Sequence, residues 1–342
     1  MPTYYLREIE YQMNVYAFKN TTVELAKSSS GGAFNGLIRA FCAYFEKPVI
    51  VGAAFDVKGD VRHEYAFSLI ETEKFNGSKY VKSDLRKVYD DIATRLDNGE
   101  NILFSGTPCQ VHGLNSYLKK RDINTDKLIT IDIICHGTPP KRFFIDYKKW
   151  LENKEKKRII EIRFRDKRGA WKDYCMSVKF DDGSELFDTY NVRTYMRLFF
   201  SKNIIDRRCF SCHFANLERT SDVTIGDFWG IEEIMPKVDS SNGVSLIISN
   251  SKKGEALIDM MRTVYDSANL PYILKPYLGK EFLKYQWNLS HPSTKPDTYD
   301  EFNNYYKKNG FEKTMQHFHF NSTYGHVRNI VGNVLRRIGW RK

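Results

Sequence analysis

NILFSGTPCQVHGLNSYLKKRDINTDKLITIDIICHGTPPKRFFIDYKKW, residues 101–150, decides the fold. Asn101–Ser105 is a short apolar run, and Gly106-Thr107-Pro108 after it opens a helix through about Leu118. Pro108 suits the first helical position, where its missing N–H would have no partner anyway. Leu128–Ile134 repeats the pattern, and Thr138-Pro139 opens a second helix through Trp150. Strands alternating with helices predict a parallel sheet with right-handed crossovers. Cys109 then falls in the first turn of a helix directly after a strand, and Cys135 ends the next strand. Both emerge at the carboxyl edge, where open α/β sheets bind ligands. Strands lie roughly 4.8 Å apart, so the two cysteines can reach one small object. The alternative is that both are small buried residues.

Toward the N-terminus, Ser28-Ser29-Ser30-Gly31-Gly32 precedes a helical stripe of Phe34, Leu37, Ile38, Phe41, Cys42 and Phe45, with Ser30 as the expected N-cap. Strands are expected over 48–55 and 62–68, and a helix over 84–96. Toward the C-terminus the period changes. Residues 158–165, 174–180 and 185–190 read as an antiparallel meander with Asp181-Asp182-Gly183 as a hairpin turn. Short strands at 223–225 and 244–248 and helices over 192–200 and 253–265 follow, whereas 268–320 shows no clear period. The expected class is α/β: a mainly parallel or mixed sheet with helices in the N-terminal half, plus an α+β second domain carrying the meander. The expected division is 1–150, 151–290, and a C-terminal extension 291–342.

The 342 residues include 42% hydrophobic residues, ample for real cores, and no apolar run long enough to span a membrane. The N-terminal MPTYYLREIEYQMNVYAF has no apolar core of a secretory leader, so a cytoplasmic location is expected. The six cysteines then read as ligands or nucleophiles before disulfides. The net charge of +11 is local: residues 141–173 hold thirteen Lys and Arg against six acids. That pattern suits docking of an acidic partner, and the interleaved acids disfavour a nucleic-acid groove. Residues 323–342 form a basic amphipathic stripe ending near Trp340, which would lie either on an anionic membrane, at its inner face, or on the protein itself.

Cys209-Phe210-Ser211-Cys212 is a C-x-x-C loop, a spacing that holds zinc or an iron–sulfur cluster or forms a redox dithiol. A zinc ribbon would want a second close pair. Four thiols from three places (Cys109, Cys135, Cys209 and Cys212) suit a four-cysteine cluster better. Cys42 reads as a core residue, and Cys175, on the side of Ser177 and Lys179, reads as inert and as the reserve ligand. The Ser28–Gly32 loop at a helix start presents hydroxyls and unhindered N–H groups, an arrangement that suits a phosphate or pyrophosphate or serves only as a cap. Gly77-Ser78-Lys79-Tyr80 offers Lys79 to neutralise a phosphate and Tyr80 to stack on a ring, or is a surface turn.

SSSGGAF (28–34), GAAFD (52–56), GSKYVKSD (77–84), FSGTPCQ (104–110), ICHGTP (134–139), FRDKRGAWKDY (164–174) and CFSCHFANLERTSDVTIGDFWG (209–230) resemble the coenzyme F420 hydrogenase/dehydrogenase beta-subunit family. The resemblance runs over about 14–265. It implies a bound FAD and a 4Fe–4S cluster on Cys109, Cys135, Cys209 and Cys212, passing electrons between one-electron carriers and a two-electron acceptor. Ser28, Ser29, Ser30, Gly31, Gly32, Lys79, Tyr80 and Thr107 are the residues expected around the flavin, and no catalytic residue is assigned. Long members begin with a cysteine-rich ferredoxin-like segment, whereas here no cysteine precedes Cys42. The expected donor is therefore a separate acidic protein of ferredoxin or flavodoxin type. By analogy with short members, the acceptor is expected to be a small or sugar-linked molecule of surface-polysaccharide biosynthesis. The alternative is a non-redox transferase or binding module with structural zinc.

Overall fold

The structure, a computed structural model, describes residues 14–320. The amphipathic stripe over 323–342 lies outside them. The strands are β1 (Asn14–Lys19), β2 (Val49–Phe55), β3 (Val61–Ala66), β4 (Ile102–Gly106), β5 (Leu128–Ile133), β6 (Ile159–Arg163), β7 (Ser177–Phe180), β8 (Glu185–Phe187), β9 (Val223–Asp227), β10 (Ser245–Ser249) and β11 (Ile273–Tyr277). The α-helices are α1 (Thr22–Lys27), α2 (Ala33–Tyr44), α3 (Val88–Asp97), α4 (Pro108–Lys120), α5 (Lys141–Glu155), α6 (Thr194–Phe200), α7 (Ile231–Ile234), α8 (Lys252–Ser267), α9 (Trp287–Ser290) and α10 (Tyr299–His317).

Eight strands form one mixed sheet in the order β11-β1-β10-β9-β5-β4-β2-β3, and β6-β7-β8 form a separate antiparallel sheet. The core β2, β4, β5 and β9 run parallel. Antiparallel β10 then reverses the direction once and β1 reverses it again, so β1 ends at the same edge as they do. Both faces of the sheet are covered, which is why its strands read as continuous apolar runs rather than alternating ones. Ile50, Leu103, Ile129 and Ile131 pack under α2 and α8. Val51, Ile102, Phe104 and Leu128 pack under α3 and α4 on the opposite face.

The sheet does not divide at residue 150. Strands β9 to β11 return from the second half of the chain and complete it, because β9 pairs in register with β5, Asp132 opposite Thr224. Of the second half, the meander and α6 pack with α5 and α10 in their own apolar cluster. The turn at Asp181-Asp182-Gly183 forms as expected, Gly183 supplying a φ of +82°. Within 268–320, where the sequence shows no period, lie β11, α9 and α10.

Two glycines show why the Ser-Gly loop has its composition. A Cβ on Gly31 would run into the carbonyl oxygen of Phe18 and the amide nitrogen of Ser245, so the loop threads between the ends of β1 and β10. Gly32, not Ser30, caps α2, in the left-handed region at φ +81°; the Ser30 hydroxyl instead donates to the carbonyl of Val244. We expect Gly31→Ala to destabilise the fold by about 2 kcal/mol or more, since overpacking against backbone cannot relax. A melting temperature within a degree of wild type would contradict this.

Candidate functional site

The carboxyl ends of β4, β5 and β9, the loop before α2 and the loop after α6 enclose a cavity of about 690 Å³. Cys109, Cys135, Cys209 and Cys212 all line it. Each arrives by a different local device. Pro108 starts α4, the Gln110 side chain accepts from the Thr107 N–H at 3.0 Å, and the Thr107 hydroxyl stands 3.2 Å from the exposed Cys109 Sγ. Ile134 donates to the Ile225 carbonyl, so β5 stays paired up to Cys135. Gly137, at φ +100°, lets the chain turn away there: a Cβ on it would sit 3.3 Å from the Cys209 Cβ. Asp206 N–H donates to the Thr138 carbonyl at 3.1 Å and its own carbonyl receives Cys209 N–H, seating the C-x-x-C loop beside that turn.

The thiols lie close enough to influence Cys135. Burial pushes Cys135 up to about 12; the Gly137 N–H, 3.4 Å from its sulfur, offsets this, and Cys109, Cys209 and Cys212 push it further up. Burial also raises Cys209. Bare, Cys135 and Cys209 stay protonated, and ligation would displace their protons. Among the described residues no three His, Cys, Asp or Glu side chains close on one point as the ligands of a single ion do. As a donor set, four thiols from three segments around one cavity fit an iron–sulfur cluster. Cys42, on α2, packs instead against the cluster shared with α8, and Cys175 is buried.

The residues expected around a flavin divide. Ser28, Ser29, Ser30, Gly32, Lys79, Tyr80 and Thr107 line the cavity, and Gly31, wedged between strands, does not. Two hydroxyls face inward: Ser28 donates to the Glu24 carbonyl and Ser30 to Val244. Ser29 Oγ receives the Ser78 N–H at 2.8 Å, closing the two polar loops on each other. Lys79 differs from its expected role. Its ammonium donates to the carbonyls of Lys74, Phe75 and Asn76 at the end of the 3-10 turn Ile70–Phe75, and burial lowers it to about 7. Three backbone acceptors hold it, so it is not free to neutralise a phosphate. Tyr80 sits edge-on to Phe199 and Phe164 within the aromatic wall.

Sequence reasoning missed the opposite wall. The Arg165 guanidinium bonds Asp227 at 2.5 Å and the Trp171 carbonyl at 3.0 Å, and lies 4.3 Å from the Tyr174 ring centre. Trp171 donates to the other Asp227 oxygen at 2.8 Å and stacks on Trp229, centroids 4.9 Å apart. Asp227 raises Arg165 despite its burial. Tyr174, Trp229 and the half-exposed Phe200 face the cavity. Arg165 and Asp227 lie in quoted motifs, but 62 residues apart, so no local signal pairs them. The basic run 141–173 also changes meaning. Lys141, Lys157, Arg158, Arg163, Arg165, Arg168 and Lys172 pair with carboxylates, and Lys148 and Lys167 with backbone carbonyls. Carboxylates offset seven of its thirteen cations.

The protein is α/β, and its sheet edge opens into a cavity lined by four thiols and an aromatic wall. Residues 99–266 match the family model for the C terminus of the coenzyme F420 hydrogenase/dehydrogenase beta subunit. The fold is similar to a chain in the xenon-derivatised F420-reducing [NiFe] hydrogenase complex from Methanosarcina barkeri. The two are 14% identical, with a TM-score of 0.51, over 80% of this chain and 86% of that one. No curated protein matches the chain. No described helix is long and apolar enough to cross a membrane.

His63 also lines the cavity and is buried. Its Nε2 bonds the Ser105 carbonyl at 2.8 Å, and burial lowers it to about 4 from 6.5. Because the unfolded chain binds the proton first, stability should fall as pH drops from about 6.5 to 4, by up to about 3 kcal/mol. His63→Gln should flatten that slope in denaturant titrations; an unchanged slope would refute the assignment.

Proposed function

We propose that the chain is an iron–sulfur flavoprotein oxidoreductase, in which Cys109, Cys135, Cys209 and Cys212 hold a 4Fe–4S cluster and the adjoining cavity holds FAD. The observation that carries this reading is the convergence of all four thiols on a cavity whose remaining wall is aromatic and apolar. A flavin beside such a cluster supplies exchange between one-electron and two-electron carriers.

The chain's own share is positioning. The N-terminus of α2 meets the cavity with Gly32 in the left-handed region, and of its first-turn N–H groups that of Ala33 donates to Ser245 Oγ at 3.3 Å. That end of a helix favours a pyrophosphate, and Ser29 and Ser78 close beside it. Tyr80, Tyr174, Trp229 and Phe200 offer flat apolar faces to a ring and keep water from it. Arg165, immobilised by Asp227 and the Trp171 carbonyl, keeps a fixed positive charge near the ring's place. A separate acidic one-electron donor would reach the cluster most directly at Cys109, the exposed member of the four. Arg208 and Lys82 stand on the cavity rim, each offset in part by Asp206. A small or sugar-linked molecule remains the proposed two-electron acceptor.

Anaerobically purified protein should be brown and contain both iron and flavin. Cys135→Ser should remove most of the iron and bleach the colour, while Cys42→Ser, in the core beside α8, should not. Stoichiometric zinc without iron would sink the cluster and favour a structural zinc module. Ser29→Glu, placing a carboxylate at the α2 N-terminus, should weaken flavin binding about tenfold, near 1.4 kcal/mol. Apoprotein melting should stay unchanged; full flavin occupancy at the wild-type affinity would move the pyrophosphate elsewhere.

A further inference from the structure

Behind the cavity wall lies a charged pair that none of the roles above uses. Asp132 alternates along β5 with Ile131 and Ile133, which line the cavity, so its side chain points to the other face. There it meets Arg219, Oδ2 to Nη1 at 3.8 Å, with both side chains at most 3% exposed. Arg219 belongs to the irregular segment 213–222 that runs from Cys212 to β9. Its Nη1 also donates to the Phe214 carbonyl at 2.8 Å, folding the segment around the guanidinium. Two further contacts lay the segment on α4, which carries Cys109: Asn115 donates to the Thr220 carbonyl at 2.8 Å, and His112 lies against the Phe214 ring.

No direct hydrogen bond joins the pair, which meets at 3.8 Å. Both Asp132 oxygens, and Nε and Nη2 of Arg219, have no hydrogen-bond partner among the described residues. The Ser221 and Thr224 hydroxyls accept from the Asn250 amide, keep their own protons, and from beside the carboxylate lower it against burial. Burial raises Asp132 to about 6, and Arg219 opposes that rise. Unmade hydrogen bonds on both partners are costly in an apolar interior. Closing the pair to hydrogen-bond distance would recover them and draw the segment, with Cys212 at its head, toward β5 and Cys135.

We propose that Asp132 and Arg219 are a positioning pair. Their attraction sets the spacing between the Cys209–Cys212 loop and the strand end at Cys135, and so the seating of the cluster. This rests on the iron–sulfur reading above. A buried pair that is only structural can be exchanged for apolar residues with little loss, whereas groups that orient metal ligands cost on the order of tenfold in affinity when removed.

Wild type, Asp132→Asn, Arg219→Met, Arg219→Lys and the double Asp132→Leu/Arg219→Met are compared by melting of the apoprotein and by the rate at which a chelator bleaches the reconstituted protein. Each neutralising single variant should melt lower and bleach on the order of tenfold faster. The double should regain melting but still bleach fast, and Arg219→Lys, which keeps the charge, should bleach near the wild-type rate. A double variant that holds its iron like wild type overturns the proposal. If the double does not fold, Arg219→Met decides: bleaching at the wild-type rate overturns the proposal and fast bleaching, rescued in Arg219→Lys, supports it. Wild-type protein that takes up no iron at all instead removes the cluster reading, and this inference with it.

Discussion

The parallel pairing of β4 with β5 is the constraint on which the site depends. Their ladder runs from Ile102 opposite Leu128 to Gly106 opposite Asp132, and it stops where the chains must leave the sheet. One chain turns at Pro108 into α4; the other continues against β9 to Cys135. Because the strands run the same way, both cysteines leave at one edge. An antiparallel pair would have sent them to opposite ends of the sheet. The buried backbone at this edge has no further strand to bond, which is why a cavity can open there.

Around that edge the polar groups fall into two kinds. One kind is spent on holding the walls: Lys79 on three carbonyls, Ser28 and Ser30 on one each, Arg165 on Asp227. The other kind stays chemically available, and it is mostly sulfur and aromatic surface. Burial sharpens the division. It lowers Lys79 and His63 and raises Cys135, so the interior favours neutral groups except where a partner compensates a charge. Arg165 has such a partner in Asp227, and Asp132 has only the looser one in Arg219.

The chain's basic character is likewise less than its composition. Most charges of 141–173 lie within reach of carboxylates on neighbouring turns, and exposed pairs of this sort add little stability while they cancel local field. A docking partner would meet a surface of mixed sign there. Of the four thiols on the cavity, Cys109 is the exposed one.

What the sequence by itself determined were features with a local cause. Apolar runs marked β2, β4 and β5, Pro108 marked the start of α4, Asp181-Asp182-Gly183 marked the meander's turn, and the cysteines marked the sheet edge. All rest on neighbours within one turn or one strand. Only the tertiary structure decided that β9, β10, β1 and β11 complete a single sheet, that Gly31 is a wedge between strands, that Lys79 serves a turn, and that Arg165 meets Asp227 and Asp132 meets Arg219. Most of these join residues 60 to more than 200 positions apart, whereas β10 pairs with nearby β9, Gly31 also meets nearby Phe18, and the three carbonyls of Lys79 are local. Hydrophobic period reports which face of an element is buried but not which element buries it; that choice is made by covering both faces of one sheet at once.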